Sequence, residues 1–178
     1  MAREGIADYG CAKRKAARRL GMPAAAGLPD NGEIESALRA YQSLYQGDEH
    51  RCRIRDLRRI ALDLMLRLQD FSPYLVGHVL EGTAGRFAGI ELNLYADTAK
   101  SVEIFLLSRG ISYAPAAARA RAGGAPEVEL DLVWKEVPVR VAVFGAVRER
   151  VRTHRHDGRT RPRAGIRALQ GLLAEGGE

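Results

Sequence analysis

At 178 residues, 46% hydrophobic and 28% charged, the chain has the composition of an ordinary soluble globule, enough for one domain with its own core and too little for two of full size. Its formal charge is +6, and no apolar run reaches the ~18–20 residues of a membrane span. Two cysteines, Cys11 and Cys52, lie outside any C-x-x-C spacing and point to neither a disulfide framework nor a zinc site.

The first twenty residues, "MAREGIADYGCAKRKAARRL", hold six basic and two acidic side chains. They contain no apolar h-region of the secretory kind, so a cytoplasmic location is expected. Residues 7–20 read as a short basic helix, stopped by Gly21-Met22-Pro23. "PAAAGLPDNG" (23–32) reads as a linker rich in turn residues. Residues 1–32 are thus expected to form a basic helical arm and linker, and residues 33–178 a single domain. A helix follows from about Glu33 to Gln46, with Ile34, Ala37, Leu38, Tyr41, Leu44 and Tyr45 at helical spacing. Gly47-Asp48 breaks it, and Asp48 can cap the next.

The longest helix is expected from about His50 to Gln69. Ile54, Leu57, Ala61, Leu64 and Leu68 make its stripe, broadened by Ile60 and Met65. Arg51, Arg55, Arg58 and Arg59 read as a solvated outer face, or alternatively as a phosphate-facing rim. The pattern then changes. "YLVGHVL" (74–80) reads as a short apolar strand. "GIELNLYA" (89–96) alternates, with Ile90, Leu92 and Leu94 on one face and Glu91, Asn93 and Tyr95 on the other. Asp97-Thr98 caps a helix through Arg109, and Gly110 ends it. "ARARAGGAP" (118–126) is a loop. "EVELDLVW" (127–134) alternates, with Glu127, Glu129 and Asp131 on one face. Lys135-Glu136 is a candidate tight turn into "VPVRVAVF" (137–144), where Pro138 suggests an edge or bulge. An arginine-rich loop leads to a short helix at about 164–174. The expected class is α/β (α+β), a mixed sheet flanked by helices, with an N-terminal helical arm.

The strand, glycine turn, alternating strand and helix over residues 74–144 resemble the nucleotidyltransferase superfamily, the fold of DNA polymerase beta. In that family a Gly-Ser pair binds triphosphate, and two aspartates on one strand and a third on a later strand hold two magnesium ions. The ions activate the attacking oxygen and neutralise the leaving phosphates. Gly77-His78 falls where Gly-Ser would be, and Gly82-Thr83-Ala84 matches the turn that follows. Gly89-Ile90-Glu91-Leu92 falls where Asp-Ile-Asp-Leu would be, so Gly89 takes the first aspartate position and Glu91 the second. Asn93 offers a neutral oxygen. If the third acid comes from 137–144, its position is Arg140; if it comes from the earlier strand, Glu129 or Asp131 could serve. The resemblance therefore implies Glu91 as the catalytic and metal-holding acid, with Gly77, His78, Gly82, Thr83, Asn93 and Arg140 lining a nucleotide or phosphate pocket. It implies magnesium as cofactor, but Glu91 alone supports one weakly held ion rather than two. An arginine cannot shed its charge to accommodate a metal. The expectation is a retained fold with a degenerate metal site, weakly active or inactive as a transferase.

"ADYGCAKRKAARRLG", "LPDNGEIESALRAYQSLYQ" and "SVEIFLLSRGISY" are similar to a group of bacterial sequences of about this length, some labelled UDP-N-acetylmuramate–alanine ligase. The residues argue against that label, because no Gly-Lys-Ser/Thr loop for ATP is present and the chain is far shorter than a three-domain ligase. No G-x-G-x-x-G, G-x-S-x-G or H-E-x-x-H occurs either. "HRHD" (154–157) resembles a metal cluster, but the arginines around it disfavour a cation, and a surface turn at Asp157-Gly158 is the simpler reading. A competing function is a non-enzymatic module, binding nucleic acid through its basic ends or working through a protein partner. Residues 145–178 hold eight arginines against four acids. Arginine outnumbers lysine 24 to 4 across the whole chain, however, as genome-wide codon bias would produce.

Overall fold

The structure, a computed structural model, describes residues 9–19, 29–30, 32–37, 47–116, 125–151 and 162–175. The linker at 20–28, the far half of the 33–46 helix, most of the 118–126 loop and the His154–Asp157 cluster lie outside these residues, as does the rest of the arginine-rich stretch at 152–161. Helix α1 is Tyr9–Arg19, a helical run covers 32–37, and α2 is Gly47–Arg67. Strand β1 (Tyr74–Val76) leads straight into the short helix α3 (Gly77–Glu81). Then come β2 (Ile90–Ala96), α4 (Ala99–Ser108), β3 (Tyr113–Ala116), β4 (Val128–Trp134), β5 (Val137–Gly145) and α5 (Ile166–Glu175).

The five strands form one mixed sheet in the order β1-β2-β5-β4-β3. Strands β2 and β5 are parallel, and the other three pairings are antiparallel. Period-two patterning decides which face each side chain takes. Ile90, Leu92 and Leu94, with Val139, Val141 and Val143 and with Leu130 and Leu132, lie on the face covered by helices. There they meet Leu57, Ala61, Leu64, Met65 and Leu68 from α2 and its end, Val102 and Leu106 from α4, and Leu169 from α5. The α2 stripe is thus the one its spacing predicts. The opposite face carries Glu91, Asn93 and Tyr95, Arg140 and Phe144, and Glu129 and Asp131. Its far end is closed by a second cluster in which Tyr95 stacks on Phe144, with ring centroids 5.7 Å apart, and meets Tyr74 edge-on.

Local signals set the boundaries. Thr98 caps α4 by accepting a hydrogen bond from the Ser101 N–H at 3.3 Å. At the other end Gly110 takes φ +67°, its N–H donates to the Leu107 carbonyl, and the Ile111 N–H donates to the Leu106 carbonyl. That paired closure buries Ile111 against Leu106. Upstream, Asp30 and Glu33 each accept the other's backbone N–H, at 2.9 and 2.8 Å, a reciprocal cap at the start of the 32–37 run. The Lys135-Glu136 turn is the tight hairpin expected. Both residues adopt positive φ, 47° and 66°, and Trp134 pairs with Val137 across it.

Two elements differ from the sequence expectation, and a third needs its local pairing to be understood. The "YLVGHVL" run is a strand only for three residues, because Gly77 takes φ +73° and turns the chain into α3. Strand β3 was not expected; "YAPA" is short, carries a proline and forms the sheet's edge. Pro138 meets the expectation that part of its strand lies at an edge: β5 is central in the sheet, but at Pro138 it is unpaired on the β2 side. Trp134↔Val137 is the hydrogen-bonded pair beside the turn, so Val133↔Pro138 is a non-bonded pair and the missing N–H faces the β2 side. There β2 has not yet begun, since its first partner on β5 is Val139.

Candidate functional site

The polar face of the sheet opens at the start of β2 into a cleft of about 430 Å³, lined by Gly89, Glu91, Asp131, Val133, Pro138 and Arg140 among others. Three neighbouring strands supply its polar groups. Glu91 on β2 stands directly beside Arg140 on β5, and Arg140 beside Asp131 on β4, so the three form one row across the sheet. The Arg140 guanidinium binds Asp131 through two bonds: Nε donates to Oδ1 at 2.7 Å and Nη2 donates to Oδ2 at 2.9 Å. This is the fork geometry in which arginine pairs best with carboxylate. The hydrogen bonds to Asp131, and the charges of Asp131, Glu129 and Glu91, raise the Arg140 pKa above its ordinary value, although burial opposes them. Glu129, one residue pair further along the same face, is fully buried. Asn93 flanks that pair on the β2 side, and its Oδ1 is buried with no hydrogen-bond donor among the described residues.

Glycine geometry sets what the cleft can hold. A Cβ on Gly77 would come within 2.7 Å of Glu91 Oε1, so the Glu91 carboxylate rests against the Gly77 backbone at the start of α3. A Cβ on Gly89 would come within 2.6 Å of the Pro138 carbonyl oxygen. A backbone atom cannot swing aside as a side-chain end can, so position 89 accepts no side chain without a shift of β5. The first of the two expected acid positions on this strand is therefore sterically closed as well as empty of charge.

The same geometry tests the magnesium expectation. Both Asp131 oxygens accept bonds from Arg140, position 89 contributes nothing, and a permanent positive charge occupies the middle of the row. Among the described residues, no group of three or more His, Cys, Asp or Glu side chains is arranged to hold a metal ion. The residues present do not fit a two-metal centre.

The remaining expected pocket residues are drawn together differently. His78 Nδ1 and Thr83 Oγ1 lie 3.1 Å apart in a hydrogen bond, and the Thr83 N–H donates to the His78 carbonyl at 2.9 Å. Gly82 ends α3 at φ +74°. These three residues close the short helix, and none of them lines the cleft. Gly77 adjoins the cleft only through Glu91.

Three side chains of α2 brace the same turn from behind. Arg58 donates to the carbonyls of Val79 at 3.1 Å and Leu80 at 2.6 Å, satisfying two carbonyls at the end of α3. His50 Nε2 lies 3.0 Å from the Gly82 carbonyl, and Arg53 Nη2 donates to the Gly85 carbonyl at 3.2 Å. Burial lowers the Arg58 pKa from its ordinary value. The arginine-studded face is therefore partly a clamp on the glycine turn rather than a uniform solvated surface. A signal for this exists in the sequence: Arg58 falls in line with Ile54, Ala61 and Met65 at spacings of four, three and four, on the edge of the buried stripe. Arg59, one residue on, meets only exposed Asp56 among the described residues, at 3.4 Å. No helix among the described residues is long and apolar enough to cross a membrane.

No protein-family model matches this chain, and neither a curated protein nor a solved structure resembles it significantly.

Proposed function

We propose that this chain is a nucleotidyltransferase-like protein whose metal centre is replaced by an ion pair, and that its cleft binds a nucleotide or another phosphate ligand without two-metal chemistry. The observation that carries the reading is the row Glu91–Arg140–Asp131. It stands on the polar face of parallel β2 and β5, where the resemblance would gather acids, and a guanidinium occupies its centre. The antiparallel β1–β2 pair, joined through a glycine-started helix and a glycine turn, supports the same reading. Arg140 is the phosphate contact in this scheme. Two of its nitrogens serve Asp131, and the third, Nη1, remains to meet a ligand oxygen. Because Glu91 and Asp131 outnumber Arg140, the row as built is net negative and works against an anion, so binding through Arg140 is expected to be weak.

Calorimetric titration with ATP, CTP, GTP and UTP, with and without magnesium, tests the proposal. The expected result is weak binding of at least one nucleotide, little changed by magnesium. Asp131→Asn should tighten it by releasing Arg140, and Arg140→Met should abolish it. Magnesium-dependent turnover of a nucleotide, or binding indifferent to both substitutions, would overturn it.

A further inference from the structure

A second cleft, of about 1010 Å³, lies towards the other edge of the sheet. It opens where the ends of α2 and α4 diverge from the start of β3 and the end of β4. Its lining is mixed: Leu66 from α2, Phe105 from α4, and Ile111, Leu132 and Val133 from the strands and the chain leading into them stand among polar Gln69, Asp70 and Ser112. Leu66 and Val133 remain 44% and 66% exposed there, so this surface is open to a ligand.

The cleft also holds two positive groups, each laid on an aromatic ring. The Arg67 guanidinium carbon is 5.0 Å from the Trp134 ring centroid, and that of Arg109 is 5.3 Å from the Phe105 centroid. The Trp134 ring is fixed in turn, because its Nε1–H donates to Asp63 Oδ2 at 2.9 Å. Lys135 Nζ, 3.1 Å from the same oxygen, already answers the Asp63 charge, and Arg67 Nε stands off at 4.0 Å. Arg109 makes no ion pair among the described residues. Of the acids in the cleft, Asp131 is engaged by Arg140, and Asp70 remains on the rim. Stacking restricts both arginines before any ligand arrives, which lowers the entropy lost on binding.

We propose that this cleft binds a small organic anion: an apolar body, seated against Leu66, Phe105 and Leu132, carrying a carboxylate, sulfonate or phosphate held by Arg67 and Arg109. The cleft is at the upper end of the usual size for small-molecule sites, and its two arginines supply the few polar groups that orient a ligand in such sites. It is separate from the nucleotide cleft, with which it shares only wall residues 131–133.

The test uses two dyes on the intact protein: 1-anilinonaphthalene-8-sulfonate and its uncharged counterpart N-phenyl-1-naphthylamine. Trp134 is the chain's single tryptophan and lines this cleft, so energy transfer from it reports a dye bound nearby, and the arginine variants assign it to the cleft. The expected result is saturable binding of one sulfonate dye with quenching of Trp134, and affinity about tenfold or more weaker for the neutral dye, the factor expected when charged hydrogen bonds are lost. An Arg67→Gln, Arg109→Gln double variant should lose that preference while its melting temperature holds. Should it melt lower, the comparison of the two dyes on the unaltered chain still decides. Equal affinity for both dyes, unsaturable binding, or an unchanged preference in a folded double variant would overturn the proposal. Failure of nucleotide binding in the other cleft would not touch this assignment, because Arg67 and Arg109 lie outside that cleft.

Discussion

Replacing Arg140 with aspartate turns the row Glu91–Arg140–Asp131 into three adjacent carboxylates, with Glu129 diagonal to the new one. Two charged hydrogen bonds to Asp131 disappear. The side chains of Arg140 and Asp131 are 26% and 45% exposed, so water recovers much of that loss, leaving a cost of about 1 kcal/mol. Attraction to the two flanking acids becomes repulsion. At cross-strand separations and a solvent-like effective dielectric, each pair contributes about 1 kcal/mol. The whole is on the order of 3 kcal/mol, a fall in melting temperature of roughly 6–12 °C for a domain of this size.

Magnesium should then recover part of the loss in the variant alone. Ten-millimolar ion on a site of about 1 mM affinity stabilises by roughly 1.4 kcal/mol, which is about 3–6 °C. Arg140→Met, which removes the cation without adding an acid, should cost about 1 kcal/mol and gain nothing from magnesium. Scanning calorimetry of the three chains, at matched ionic strength with and without magnesium chloride, reads the effect directly. An aspartate variant that melts no lower than the parent, or magnesium that raises all three equally, would show that Arg140 does not occupy a metal ion's place.

Gly89→Ala should destabilise by about 1–3 kcal/mol, the usual range for forcing an extra atom into closed packing. Its Cβ would meet the Pro138 carbonyl at 2.6 Å, and a urea midpoint unchanged from the parent would show that the approach relaxes freely. Arg58→Met should cost about 1.5–3 kcal/mol by leaving the Val79 and Leu80 carbonyls without their donor. Arg59→Met should cost no more than about 0.5 kcal/mol, and equal effects would refute the clamp. Asp63 carries a pH signature. Burial tends to raise its pKa, but hydrogen bonds from Trp134 and Lys135 and the charges of Lys135 and Arg67 outweigh it and hold the value below the ordinary 3.8. The contribution of a depressed carboxyl is complete above its unfolded pKa and is lost as pH falls through the folded one. The stability gap between the parent and Asp63→Asn should therefore stay constant above about pH 5 and narrow below about pH 4, and a gap that persists into stronger acid would contradict the assignment.

What the sequence disclosed, and what it hid, divide by range. Thr98 and Gly110 bracket α4 because a cap and a left-handed stop act within one turn of the chain. The β2 and β4 faces follow from strict alternation, which a half-buried strand cannot avoid. The apolar run "YLVGHVL" defeats that logic, since a buried strand and a short helix look alike in it. Only the positive φ of Gly77, with the Glu91 carboxylate lying against it, separates the two. The same holds for the site. Its row of Glu91, Arg140 and Asp131 joins residues 49 positions apart at the extremes, and no local pattern says that Arg140 will bond to Asp131. Nor does the sequence say whether an arginine on α2 meets water or a carbonyl. Arg58 and Arg59 are neighbours of one type, and a rotation of about 100° around the helix separates a clamp from a surface group.

Under the proposed function the cleft departs from the resemblance at two places, no acid at position 89 and an arginine at position 140, and both are linked by the strand that carries Pro138. Because β5 starts its pairing with β2 at Ile90↔Val139, the Pro138 carbonyl fills the volume that a side chain on residue 89 would need. Two residues on, the same strand projects Arg140 between Glu91 and Asp131. Restoring an acid at 140 alone therefore gathers carboxylates from β2, β5 and β4 yet leaves position 89 closed. Such a cleft can hold one ion between acids. It lacks the second acid on β2 that a bridged pair of ions requires. Under the proposed function, then, Arg140→Asp should gain magnesium-dependent stability without gaining magnesium-dependent turnover.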